Sequence, residues 1–70
     1  MCDICTYQIK VRGQVDENDL NANSPIQMTV VRVDTTTTLL TICADQSGLI
    51  GLLRHLHGRG FVLLSVLREG

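Results

Sequence analysis

The 70-residue chain has no Trp, one Tyr and one Phe, so it offers almost no ring surface on which nucleobases could stack. Positive charge is scarce too. Six Lys and Arg face seven Asp and Glu for a net charge of -1, and the halves 1–35 and 36–70 carry -2 and +1, so neither builds a basic stripe. Nucleic acid is therefore not an expected partner. Long apolar runs are also missing. The longest stretch free of charged or strongly polar side chains lies around 61–67, well short of the about 20 residues a spanning helix needs, which excludes a membrane-spanning helix. The amino-terminal segment Met1-Cys2-Asp3-Ile4-Cys5 lacks the basic flank and apolar stretch of a secretory signal. A cytoplasmic location is the resulting expectation.

What is present fits one small domain, with 44% apolar and 19% charged residues. A second core would need roughly another 50 residues. Domains of this size bury only about 60% of the unfolded chain's surface and commonly draw added stability from a disulfide, a metal or an oligomer. Residues 1–5 are read as a disordered tail ahead of a single domain spanning 1–70.

Between 6 and 12, Tyr7, Ile9 and Val11 alternate with Gln8, Lys10 and Arg12, the period of a half-buried strand. Gly13 ends it. The Asp-, Asn- and Ser-rich segment 14–25 reads as a long surface connection whose apolar anchors are Val15, Leu20 and Ala22. Two further strands are expected over 26–33 and 37–43, joined as a hairpin through Asp34, Thr35 and Thr36. The Thr35 to Thr38 run has the residue type of strands and is assigned to structure. Asp45 then supplies a helix N-cap, and Leu49, Leu52, Leu53 and Leu56 recur at helical spacing. A left-handed Gly58 can close that helix before a last strand over 61–67.

The predicted fold is thus α+β, a four-stranded mixed sheet in the order β-β-β-α-β with one helix packed on one face. An up-down-up meander followed by a returning helix makes the fourth strand parallel to the first and third. In that strand Phe61, Leu63 and Leu67 point one way and Val62, Leu64 and Val66 the other, a two-sided apolar pattern that one helix covers on one side alone. The uncovered set predicts a homo-oligomer, most simply a dimer, with Phe61, Leu63 and Leu67 in the interface if the helix covers Val62, Leu64 and Val66, and the reverse set otherwise.

The stretches 38–41, 44–56 and 60–66, together with Tyr7-Gln8-Ile9-Lys10-Val11-Arg12-Gly13, resemble a family of uncharacterised short bacterial proteins that share the Asp-Gln helix start and the Leu-Leu-Ser-Val ending. Those proteins carry Trp and Phe after the first strand, where this chain has no aromatic residue. The resemblance implies no activity. More locally, Asp45-Gln46-Ser47-Gly48-Leu49, its helix and Gly60-Phe61-Val62-Leu63-Leu64-Ser65 are similar to the first strand-helix-strand unit of ACT domains, which bind amino acids. That likeness covers half of the ACT pattern. It implies a small-molecule ligand at Asp45, Gln46, Ser47 and Gly48, where free N–H groups of a helix start would favour a carboxylate.

Cys2 and Cys5 form a C-x-x-C, a spacing that can hold a metal ion or close a disulfide. In the predicted topology Cys43 sits roughly 20 Å from Cys5 at the far end of a parallel strand, whereas the helix returns His57 toward the pair. Cys2, Cys5 and His57 are accordingly the candidate metal ligands, set against the plainer alternative of incidental cysteines in a tail. At about 100° per residue from Leu49, His57 flanks the core and His55 points outward beside Gly51. Gly51 inside a helix costs about 1 kcal/mol relative to Ala, which makes Gly51 and His55 a second possible contact surface. No Ser-His-Asp or Cys-His arrangement can be argued from these positions. The expectation is a non-enzymatic module with no required cofactor.

Overall fold

A computed structural model describes residues 4–69. The elements run β1 (Cys5–Arg12), α1 (Glu17–Asn21), β2 (Thr29–Val33), β3 (Thr37–Ala44), α2 (Gln46–Gly58) and β4 (Leu63–Arg68). They form a four-stranded sheet in the order β2-β3-β1-β4. Each neighbouring pair is antiparallel. This β-α-β-β-α-β order is that of split-βαβ, ferredoxin-like domains. The α+β class is as expected, but the mixed sheet is not formed, nor is the order β-β-β-α-β. The strand β1 inserts between β3 and β4, so β4 runs antiparallel to β1 at the sheet margin rather than parallel to it.

The expected helix and its N-cap are present. Asp45 has extended backbone, and its Oδ1 accepts from Gly48 N at 2.7 Å. At the other end the helix passes through Gly58 and closes two residues later than predicted. Gly60, at φ +89°, donates to His57 O, and Phe61 N donates to Leu56 O. This paired closure needs a left-handed residue, and Gly60 takes that conformation without the steric penalty of a Cβ.

Residues 14–25 are not wholly irregular. Asp16 caps Asn18 N, which starts α1, and Leu20 from this short helix is fully buried. Asn21 then fixes the approach to β2, since its side chain accepts from Met28 N and donates to Met28 O. Leu20 and Met28 join Ile9, Val11, Leu40, Ile42, Ala44, Leu52 and Leu56 in one core between the helices and one face of the sheet. Registers Cys5↔Ala44, Ile9↔Leu40 and Val11↔Thr38 align the inward side chains of β1 and β3. Cys5 is therefore a buried strand residue, which removes it from the expected tail.

Candidate functional site

The sequence-based candidates fall into three places. The first is the start of α2. Asp45 and Gly48 are partly buried there, and Gln46 and Ser47 are exposed. A Cβ built on Gly48 would lie 3.1 Å from Asp45 Oδ1, 3.2 Å from Ile26 Cδ1 and 3.3 Å from Ala44 Cβ. The turn is thus filled by its own cap and by Ile26. An anionic ligand approaching it would meet the Asp45 carboxylate, which already takes the Gly48 N–H.

The second place concerns the cysteines. Cys2 lies outside the described residues. Cys5 opposes Ala44 and Thr6 opposes Cys43, so Cys43 stands beside the start of β1 instead of roughly 20 Å away. The two thiols nonetheless face opposite sides of the sheet, Cys5 inward and Cys43 exposed, within 3.6 Å of Thr6 Oγ1. His57 is displaced in the other sense. Because α2 begins next to Ala44 and hence next to Cys5, a rise of about 1.5 Å per residue carries His57 roughly 17 Å away along the helix. The proposed Cys5–His57 pairing is not assembled. Among the described residues no group of three or more His, Cys, Asp or Glu is placed to hold a metal ion.

The third place is the expected interface, and here the structure redistributes the residues. A register shift in the β1–β4 ladder, at Lys10/Val11, pairs Val11 with Leu63 but Lys10 with Ser65, Ile9 with Val66 and Gln8 with Leu67. One residue of alternation is absorbed at Leu64. Leu63 and Val66 consequently share the helix side, and only Leu67 of the predicted set projects from the open face. Phe61 and Leu63 pack against the chain's own core. Gly51 has nothing within 4 Å of a built Cβ, while His55 is half-buried with a buried Nε2 that lacks a hydrogen-bond partner.

The β4 margin is open. Val62, Leu64, Val66 and Leu67 are 48, 44, 37 and 60% exposed. On α2, Gly48 turns toward Ile26 and so toward the β2 side, which puts Ile50 and Leu53 on the flank facing β4. A shallow hollow lined by Ile50, Leu53, Arg54, His57 and Gly58 lies on that flank. The signal for this surface was present in the apolar density of 61–67. Its position at a sheet margin was not.

The opposite margin is partly guarded, although Val31 and Val33 are 57 and 49% exposed there. Glu17 Oε1 accepts from Val30 N at 2.8 Å, Asn21 holds both backbone groups of Met28, and Arg32 pairs with Asp34 at 3.2 Å. A register shift between Val30 and Arg32 further interrupts β2. Covering, charge and a bulge are the usual means of blunting an edge strand.

Comparison with known proteins adds one result. The model of the domain of unknown function DUF8691 matches residues 6–67. The chain belongs to this family. DUF8691 thus covers every strand and both helices described above, apart from the residues at the two margins of the match. No curated protein and no solved structure matches the chain. No helix among the described residues is long and apolar enough to cross a membrane.

Proposed function

We propose that this DUF8691 chain is a non-enzymatic module that self-associates and serves the assembly or regulation of a larger system in the cytoplasm. The observation that carries the reading is the apolar surface of the β4 margin and the adjoining flank of α2, where Ile50, Val62, Leu64, Val66 and Leu67 are exposed with no strand beyond β4 to cover them. An unguarded apolar edge is a template for another chain. Supporting it, a domain of this size gains much from added burial.

A concentration series in sedimentation equilibrium tests the proposal. The expected result is a mass that rises toward a small multiple of the chain mass between micromolar and millimolar protein. A mass equal to one chain throughout would overturn it. Thermal-shift measurements with amino acids test the ligand expectation at Asp45, Gln46, Ser47 and Gly48, and the filled start of α2 leads us to expect no shift.

A further inference from the structure

We infer that the gap beyond the amino-terminal end of β2 is a binding site for a short, uncharged, extended peptide, one residue of which pairs with the backbone of Cys43. The β2–β3 ladder stops at Thr29↔Thr41, although β3 runs on through Ile42, Cys43 and Ala44. Two hydrogen bonds fix the direction in which the backbone of Cys43 faces. Thr37 O accepts from Asp34 N, so Thr37 turns toward β2, and alternation along β3 turns Leu39, Thr41 and Cys43 the same way. From the other flank, Thr6 O accepts from Glu69 N, so Thr6 turns toward β4 and exchanges no backbone bond with Cys43, which stands opposite it.

The residue due to oppose Cys43 on the β2 side is Gln27. Ser24 Oγ bonds both backbone groups of Ile26, and the Asn21 side chain bonds both of Met28, which ties 26–28 to the exit of α1. Gln27 forms no ladder pair with Cys43. Among the described residues the N–H and C=O of Cys43 therefore have no hydrogen-bond partner, and a hollow of about 360 Å³ lies there, lined by Ile26, Gln27, Thr29, Thr41, Ile42 and Cys43. A donor and an acceptor on one extended residue are matched by another extended residue, whose C=O takes the Cys43 N–H and whose N–H meets the Cys43 C=O. The lining carries no charged side chain, which favours a neutral segment over an ion. Its volume is at the small end of ligand sites and suits one residue with its flanking amides. None of these residues belongs to the β4 margin, so the site stands whether or not the chain self-associates.

An NMR titration of the full chain with N-acetylvaline N-methylamide, one β-branched residue between two amides, tests this. In the free protein the Cys43 N–H is expected to exchange with solvent at least about 100-fold faster than those of Leu40 and Ile42, which face β1. The probe should move the Gln27, Thr41 and Cys43 resonances along one saturating curve and slow exchange at Cys43. A Kd of roughly 1–10 mM is expected for a ligand of about a dozen non-hydrogen atoms. N-acetyl-N-methylvaline N-methylamide lacks the N–H that meets the Cys43 C=O and should bind at least about tenfold more weakly. A Cys43 N–H as slow as that of Ile42 in the free protein would show that Gln27 closes the ladder, and overturns the site. Resonances unmoved at roughly 50 mM probe, or equal affinity for the two compounds, overturn it as well.

Discussion

A hydroxyl shut away from water has to meet its donor and acceptor needs inside the protein, and Thr38 does so between two backbone groups. Its Oγ1 accepts from Val15 N at 3.0 Å and donates to Gly13 O at 2.8 Å, tying the chain that leaves β1 to the start of β3. Thr38→Val keeps the shape and strands both partners, so unfolding should be easier by about 1–3 kcal/mol, read as a lower urea midpoint at unchanged slope. Thr38→Ser should recover most of the loss. Two glycines of α2 offer a contrast. Gly51 faces open space, and Gly51→Ala should stabilise the chain by about 0.5–1 kcal/mol. Gly48 is crowded by Asp45, Ile26 and Ala44, so Gly48→Ala should end at least about 1 kcal/mol less stable than Gly51→Ala in the same melts. Sequence spacing singles out Gly51 because it stands in mid-helix. The glycine with close neighbours is Gly48, and its crowding depends on Ile26, which no spacing rule connects to the helix.

Among the elements, β1, the β2–β3 hairpin and α2 were legible because each carries its own period or cap. The missed helix α1 has a cap in Asp16 and one buried anchor in Leu20, too little periodicity over five residues to declare itself. The pairing order was missed for a different reason. Sixteen residues separate Arg12 from Thr29, far more than a hairpin takes, and that length lets the chain cross over and leave β1 to pair with β3. Holding α1 in place falls partly to Arg59. Its guanidinium donates to the carbonyls of Asp19 and Ala22, both at 2.9 Å, and lies 5.8 Å from the Phe61 ring centroid. Arg59 thereby satisfies orphaned carbonyls near the end of α1 from the end of α2. Arg59→Ala is expected to cost about 1 kcal/mol and to speed hydrogen exchange at Leu20 and Ala22 before it does so at Ile9 or Leu40. Equal acceleration in β1 and α1 would show that the residue stabilises the whole fold and not the link. Gly60→Ala, at φ +89°, should destabilise by about 1–2 kcal/mol through backbone strain alone.

At the scale of the molecule, the apolar run 61–67 leaves side chains exposed, but for a different reason from the one the alternation suggested. The strand is not sandwiched between layers. It stands at a margin with a register shift at Leu64, and its exposure comes from having a neighbour on one side alone. If a second chain supplies the other side, folding and association become linked, and the melting temperature must depend on concentration. A tenfold rise in protein favours the folded dimer by about 1.4 kcal/mol, which for two chains of this length corresponds to an increase of roughly 3–6 °C. Val66→Lys should weaken that dependence, because it places a charge on the exposed apolar edge of β4 while leaving the β1–β4 ladder intact. Melts of both proteins across the same concentrations check this. A slope of zero for the unaltered chain would show that the β4 margin stays wet in the folded protein, and a slope that survives Val66→Lys would move the contact elsewhere, with the open sheet face bearing Leu39 and Leu67 the next surface to probe.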